Sequence, residues 1–267
     1  MEVPFPIATP VSGGERDCFH VQFNQPIHSG QRGRTMKNLQ KMGGTAALIG
    51  AATNLFALVT LLTLLEPKGY GSDDPSQVVA FLADNQALMR AWYQVIWLVF
   101  GGCMILVSLA LYERLKAGSP ARAQAVTTVG LIYAALVIVI GALSIHNLST
   151  IVDLYHKNPA QAATVWLTLD SVENGLGAGG GETLVTALWF LLLSWAALRA
   201  GELPRVLNYL GVVLGVAGVL SVVLASLSLS AVYGLGLIVW FIWLGIDVLR
   251  WNRVSAAEKP TPQQQPV

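Results

Sequence analysis

Charged side chains are scarce in this chain of 267 residues. Asp, Glu, Lys and Arg make up only 12% of the sequence, whereas 54% of the residues are hydrophobic and the mean hydropathy is +0.58. Soluble domains carry about 25% charged residues. The sixteen basic and fifteen acidic residues nearly cancel, so no overall basic field favours nucleic acid as a partner. This composition predicts a protein whose main partner is the lipid bilayer.

Motifs for metal binding and for common catalytic reactions are also missing. The two cysteines, Cys18 and Cys103, are far apart, which argues against a disulfide framework and against a cysteine zinc site. There is no H-E-x-x-H motif and no P-loop. The run "GLGAGG" at 175–180 matches G-x-G-x-x-G, but it lacks the preceding strand that a dinucleotide site needs. We therefore expect neither a metal nor a cofactor.

Long apolar runs occupy most of the chain, and a membrane-spanning helix needs about 20 mostly apolar residues. Six runs are long enough, at about 44–65, 91–112, 124–146, 182–198, 207–227 and 232–249. The predicted fold class is therefore all-α, a polytopic membrane protein with six transmembrane helices. One further amphipathic helix, described below, is expected on the outer face.

The basic residues predict the orientation of these spans, because short cytoplasmic loops are enriched in Lys and Arg. If both termini are cytoplasmic, thirteen of the sixteen basic residues lie inside, and only Lys68, Arg90 and Lys157 lie outside. This distribution predicts a multi-pass protein of the bacterial cytoplasmic membrane with both the N-terminus and the C-terminus in the cytoplasm.

The two ends of the chain lack a helical period. Residues 1–35 are expected to be a disordered tail or a mis-annotated leader, with Met36 as the alternative start. Residues 36–251 form the six-helix transmembrane domain. Residues 252–267, which are polar and rich in Pro and Gln, are expected to be a disordered cytoplasmic tail.

Small residues on single helix faces predict where the helices pack closely. One such face carries Gly43, Ala47, Gly50 and Asn54, and Asn54 should form a hydrogen bond within the bundle. A second face carries Gly211, Gly215 and Gly218. Near the end of the last span, Asp247 is expected to pair with Arg250, one helical turn further on.

An additional helix is predicted before the fourth span. Asn158 and Pro159 are typical of a helix start, and no helix breaker follows until the glycines at 175–181. Asp170, Glu173 and Asn174 share one face of this helix. Val165, Leu169, Val172 and Leu176 form an apolar stripe, so the helix is amphipathic and should lie at the outer interface or fold back into the bundle.

Polar residues gather at one depth near the predicted outer boundary, and such residues at membrane depth are candidate functional groups. They are Gln94, His146, Asn147, Asp170, Glu173, Asn174 and Glu182. Three interpretations are open: a solvated rim, a ligand-binding or proton-relay site, and a metal site of His and carboxylates. Glu182 also has a structural explanation, since a carboxylate in the first turn of a helix complements the helix dipole.

These residues allow three functions. The first is a non-enzymatic protein that binds or moves a small or lipid-like ligand, with the polar residues at the mouth of the site. The second is an intramembrane enzyme that uses Asp170, Glu173 or Glu182 with His146 as acid and base. The third is a scaffold or sensor subunit.

The second half of the chain contains "GGGETLVTALWF", the short connection "GELPRVLNYLG" and a closing aromatic span that ends in "GIDVLR". In these features the chain resembles an uncharacterised bacterial family of six-span integral membrane proteins, a domain of unknown function. The resemblance covers about 36–250. It implies the six-span architecture and assigns no catalytic residue.

Overall fold

The computed structural model describes the backbone of residues 29–177, 179–225 and 227–257, and the side chains of 38–177, 179–225 and 228–250. Every regular element in these ranges is helical, which confirms the all-α fold class. The α-helices are α1 (Ser29–Thr60), α2 (Pro75–Asp84), α3 (Gln86–Tyr93), α4 (Phe100–Leu115), α5 (Pro120–Tyr155), α6 (Pro159–Leu176), α7 (Gly181–Ala200), α8 (Arg205–Val223) and α9 (Leu227–Ala257).

Two of these helices continue through wider, π-helical turns. The first π-helical turn, Leu61–Leu65, prolongs α1, and the second, Gln94–Val99, joins α3 to α4. The predictions for the chain ends stay untested, since 1–28 and 258–267 lie outside the described residues. Within them, the helical backbone begins at Ser29 and ends at Ala257, beyond the limits 36 and 251 that the sequence suggested for the folded domain.

Six helical stretches of the described chain are long and apolar enough to cross a membrane. They are Asn38–Lys68, Gln86–Leu115, Pro120–Tyr155, Pro159–Ala200, Arg205–Val223 and Ser228–Arg250. Each overlaps one of the six predicted spans. The stretch Pro159–Ala200 combines α6 with α7, and only α7 corresponds to the predicted span at 182–198, while α8 ends at Val223, four residues before the predicted limit of 227. The protein is therefore a multi-pass membrane protein.

Local sequence signals explain where the helices begin and end. Pro75 and Pro159 each occupy a first helical position, where the missing N–H of proline costs no hydrogen bond. Before them, Asp74 Oδ1 accepts a hydrogen bond from the backbone N–H of Ser76 at 2.9 Å, and Asn158 Oδ1 accepts one from Gln161 at 3.1 Å. The predicted start of α6 at Asn158 and Pro159 is thus confirmed.

The glycines after α6 permit the turn into α7. A Cβ atom on Gly180 would collide with the backbone carbonyl of Gly175, so this close approach of the chain to itself requires glycine. Gly177 likewise lies against the carbonyl of Glu173, to which its N–H donates a hydrogen bond at 2.7 Å. The interpretation of this run as a bend, and not as a phosphate-binding loop, agrees with the structure.

The centre of the bundle is aromatic. Trp189 and Phe190 of α7 pack against Trp240 and Phe241 of α9, and the rings of Phe190 and Trp240 meet edge to face with centroids 4.8 Å apart. The indole N–H of Trp240 donates to the carbonyl of Leu207 on α8 at 3.2 Å. These rings join the last three helices into one core.

The predicted small-residue faces are closely packed. A Cβ atom on Gly215 of α8 would approach Cγ of Leu191 on α7 to 2.6 Å, and Gly43 of α1 faces Ala110 of α4 with no space for a side chain. These contacts confirm both faces as packing surfaces. The amide of Asn54, which was expected to bond within the bundle, donates to the carbonyl of Gly50 in its own helix at 2.8 Å.

A second, smaller core lies at one end of the bundle, and we call this part the cap. It consists of α2, α3, α6 and the adjoining ends of α1 and α5. At 1.5 Å per residue, the 36 residues of α5 form a helix about 54 Å long. The hydrocarbon core of a bilayer is only about 30 Å thick. This extra length lets α5 reach the cap, where Leu148, Ile151 and Val152 are buried.

A buried arginine marks the opposite end, which we call the basic end. The side chain of Arg114 on α4 is only 4% exposed, and its Nη1 donates to Oδ2 of Asp247 on α9 at 2.8 Å. Its Nη2 donates to the backbone carbonyl of Glu202 in the loop after α7. The expected pairing of Asp247 with Arg250 was therefore wrong. A buried guanidinium without a carboxylate partner costs more free energy than an exposed one, and Arg250 is exposed.

Candidate functional site

A cavity of about 140 Å³ lies between the cap and the bundle. It is lined by residues of α5 and α6, by aromatic residues of α3, by the second π-helical turn and by Tyr70 in the segment before α2. Four of the seven predicted site residues line it, namely Asn147, Asp170, Glu173 and Asn174.

Glu173 is held at the centre of the contact between α5 and α6. Ser144 Oγ donates to Glu173 Oε2 at 2.7 Å, and Asn147 Nδ2 donates to Oε1 at 2.6 Å. Ser144 and Asn147 are three residues apart, so they lie on one face of α5, and both are buried. Each carboxylate oxygen therefore has one neutral donor and keeps a lone pair for a further partner.

Asp170 lies one helical turn before Glu173 and is half-buried. Its Oδ2 accepts a hydrogen bond from Nδ2 of Asn174, four residues later, at 2.9 Å. The two carboxylates thus lie on the same face of α6, as the sequence predicted, and both line the cavity.

No positive charge compensates these two carboxylates within the described side chains. The ion pairs there join Arg114 to Asp247 and Glu202, and Lys116 to Glu113, all at the basic end. Arg90 of the cap donates to Ser149 Oγ on the exposed surface and does not line the cavity. The cavity wall contains no Lys, Arg or His, so its formal charge comes from Asp170 and Glu173 alone.

Aromatic rings form much of the remaining wall. The rings of Tyr70 and Trp92 meet edge to face with centroids 6.0 Å apart, and Trp92 and Tyr93 are 5.5 Å apart. The hydroxyls of Tyr70 and Tyr93 are within 3.4 Å of each other. Burial raises the pKa of Tyr70 above its usual value, so its hydroxyl stays neutral and able to donate.

The indole N–H of Trp92 is a buried donor without an acceptor among the described residues. Trp92 is 8% exposed, and its ring lines the cavity. A buried donor that lacks a partner costs about 1–3 kcal/mol. Other atoms of the Trp92 side chain line the cavity, but this nitrogen has less than 1 Å² of accessible surface and does not face it.

Two of the predicted site residues are exposed and lie outside the wall of the cavity. His146 and Gln94 are exposed, and neither lines the cavity. His146 is adjacent to Asn147 on α5, but consecutive helical residues point in different directions. The structure therefore brings the carboxylates and amides together without the histidine that the enzyme hypothesis needs.

Glu182 occupies a separate, enclosed position inside the bundle. It lies in the first turn of α7, as predicted, but it is 8% exposed and not part of a solvated rim. Thr186 Oγ1 donates to its Oε1 at 3.2 Å, Thr183 Oγ1 lies 3.4 Å from its Oε2, and the hydroxyl of Tyr133 on α5 also binds it. The helix dipole is thus only part of the explanation for this carboxyl group.

Several wall residues escaped the sequence interpretation. Ser144 gave no signal beyond its spacing of three from Asn147, and aromatic residues such as Trp92 and Tyr93 are common at membrane interfaces, so their sequence positions do not indicate a site. Tyr70, Trp97 and Trp166 come from three separate segments that only the fold brings together.

The amphipathic helix α6 is oriented with its polar face inward. Leu167, Val172 and Leu176 are between 39% and 50% exposed, whereas Asp170 and Glu173 face α5 and the cavity. Of the predicted apolar stripe, Val165 and Leu169 are half-buried in the cap. These exposed apolar side chains suit a helix that borders lipid, where apolar surface does not contact water.

Nothing in the described side chains resembles a metal site. No group of three or more His, Cys, Asp or Glu residues converges there. The side chains that line the cavity supply carboxylates, amides, hydroxyls and aromatic rings.

The fold defines an all-helical, multi-pass membrane protein with a small polar cavity under a cap. The model of one family, described as a domain of unknown function (DUF4386), matches residues 42–246. The chain belongs to this family, which agrees with the resemblance noted in the sequence. No curated protein and no solved structure matches the chain.

Proposed function

We propose that this protein binds a small ligand in the cavity between α5, α6 and the aromatic residues of the cap. The supporting observation is the pair of carboxylates, Asp170 and Glu173, which line this cavity without a basic partner among the described side chains. Charged groups at membrane depth are costly to keep, and in known membrane proteins they mark ligand or ion sites.

The distribution of basic residues supports an orientation for this site. Arg114, Lys116, Arg122, Arg199 and Arg205 all lie at the basic end. By the excess of Lys and Arg in cytoplasmic loops, the basic end and both termini face the bacterial cytoplasm, and the cap faces outward. The cavity then collects its ligand from the outer side or from the outer leaflet.

Native mass spectrometry of the protein in a mild detergent tests the binding site. Leu169 lines the cavity, so Leu169→Trp should fill it, whereas Leu167 on the same helix is 50% exposed and makes Leu167→Trp a matched control. We expect an additional bound mass on the wild type and on Leu167→Trp that Leu169→Trp lacks. The same bound mass on all three proteins, or none on the wild type, would contradict the proposal.

A further inference from the structure

The basic end carries two arginines beside one exposed tryptophan. We propose that Arg122, Trp195 and Arg199, which we call the Trp195 surface, bind the headgroup of an anionic phospholipid. This surface is at the opposite end of the bundle from the cavity, so the inference does not depend on ligand binding there.

Close packing of the loop before α5 on the end of α7 brings these residues together. A Cβ atom on Gly118 would approach Cβ of Ala200 to 2.8 Å, so the two segments touch with no space for a side chain at this glycine. Nearby, Cζ of Arg122 lies 5.8 Å from the centre of the Trp195 ring. Arg199 follows Trp195 by four residues and lies on the same face of α7. Both arginines are therefore neighbours of one indole.

The two arginines of the Trp195 surface have no carboxylate partner among the described side chains. The ion pairs at the basic end use three carboxylates, and all three bind Arg114 or Lys116. None of the three forms an ion pair with Arg122 or Arg199. The positive charge of the Trp195 surface is thus uncompensated within the described part of the chain, which favours an anionic partner.

The start of α5 adds to this positive potential. Arg122 is the third residue of α5, and the first turn of the helix contains no acidic residue. Ser119, which precedes the helix, forms no capping hydrogen bond with its side chain. The N-terminus of a helix carries a partial positive charge, which stabilises anions and repels cations. An anion beside Arg122 is therefore attracted by the guanidinium and by the helix end together.

The apolar surroundings of Trp195 favour a lipid over a soluble anion. Trp195 is 52% exposed, and Leu184 and Leu188, on the same face of α7, are 40% and 48% exposed. In a membrane-spanning helix such a face borders acyl chains. The helix ends five residues after Trp195, about 7.5 Å further along, and tryptophan is typical of this boundary. A molecule that contacts the arginines and this apolar face combines a negative headgroup with hydrocarbon chains.

Headgroup charge determines which phospholipid fits. Guanidinium groups bind phosphate oxygens through paired, charge-assisted hydrogen bonds. Phosphatidylglycerol has a net negative charge, whereas the ammonium group of phosphatidylethanolamine cancels the charge of its phosphate. The two arginines therefore favour phosphatidylglycerol, and each should contribute about fivefold to its binding, the usual effect of one basic side chain at an anionic membrane surface.

The test uses the full-length protein in nanodiscs with equal amounts of phosphatidylglycerol and phosphatidylethanolamine. Native mass spectrometry after release from the nanodiscs counts the lipids of each kind that remain bound. We expect the wild type to prefer phosphatidylglycerol, and Arg122→Gln and Arg199→Gln each to weaken this preference about fivefold. Equal retention of both lipids by the wild type, or an unchanged preference in the double variant, would overturn the proposal.

Arg250→Gln is the matched control. It removes the same charge at the basic end, from an exposed position of α9, and should retain the preference of the wild type. An equal loss in this variant would show that total charge attracts the lipid, and it would overturn the assigned surface. Thermal unfolding in detergent checks that each variant is folded. If Arg122→Gln does not fold, Arg199→Gln, at an exposed position, decides alone.

Two further measurements separate the lipid from other occupants. Phosphatidylglycerol, and not inorganic phosphate, should raise the unfolding temperature of the wild type in detergent. Equal stabilisation by inorganic phosphate would show a soluble anion site and overturn the lipid assignment. Leu169→Trp, which fills the cavity, should keep the preference for phosphatidylglycerol. Loss of the preference in this variant would place the lipid in the cavity and contradict a site at the Trp195 surface.

Discussion

Glu173 and Glu182 are both bound by neutral donors, yet they differ in what else can reach them. Glu182 is enclosed by Thr183, Thr186 and Tyr133, so its side chain forms its hydrogen bonds within the bundle. Glu173 has its two donors on one side and the cavity on the other. At the scale of single residues, this difference favours a structural role for Glu182 and, under the proposed function, a binding role for Glu173.

This difference gives a prediction for Glu182. Glu182→Gln preserves an acceptor oxygen for Thr186, so we expect the free energy of unfolding to change by less than about 1 kcal/mol. Glu182→Ala removes the carboxylate that binds the Tyr133 hydroxyl, while Thr186 still donates to the backbone carbonyl of residue 182 at 2.8 Å, and should lower it by about 1–3 kcal/mol. Thermal unfolding in detergent measures both, and equal stabilities of the Ala variant and the wild type would contradict the structural role.

At the scale of elements, α6 shows what local sequence can and cannot predict. Its start at Asn158 and Pro159 and the shared face of Asp170 and Glu173 follow from capping and from the helical period. The sequence does not predict which face of α6 turns toward the bundle, because that depends on whether lipid or protein lies next to each face. The partners of Glu173 on α5 were therefore only partly foreseen: Asn147 was a candidate and Ser144 was not.

At the basic end, Arg114 on α4 forms an ion pair with Asp247 on α9. We expect Asp247→Ala to lower the free energy of unfolding by about 2–3 kcal/mol. Breaking a fully buried ion pair costs about 3–5 kcal/mol, and the loss should be smaller here because the side chain of Asp247 is 21% exposed. Glu113→Ala breaks an ion pair with the more exposed Lys116 and should cost less than about 1 kcal/mol. Denaturant titration compares the two, and equal losses would show that Asp247 has no special part in joining these helices.

At the scale of the whole molecule, the sequence was sufficient for the spans and insufficient for the cavity. Hydropathy identifies each span from about 20 consecutive residues. The cavity instead joins Tyr70, Trp92, Ser144 and Glu173, which are separated by up to about a hundred positions and meet only through the packing of the cap on α5. That Asn147, Asp170, Glu173 and Asn174 are candidates was visible in the sequence, and their contacts were not.

The orientation of the molecule gives a prediction that labelling can check. In a Cys18→Ser background, Asp153→Cys places a thiol on the exposed cap and Ala117→Cys places one at the exposed basic end, while the native Cys103 is buried. An impermeant maleimide should label intact cells at position 153 and reach position 117 only after permeabilisation. Labelling at position 117 in intact cells would show that the predicted orientation is wrong.

The most direct test of ligand binding is an experimental structure of the wild-type protein, purified in mild detergent, at a resolution that reveals bound water. We expect non-protein density in the cavity between α5 and α6, within hydrogen-bond distance of the carboxylate of Glu173. A cavity that contains only water, or one closed by its own side chains, would contradict it.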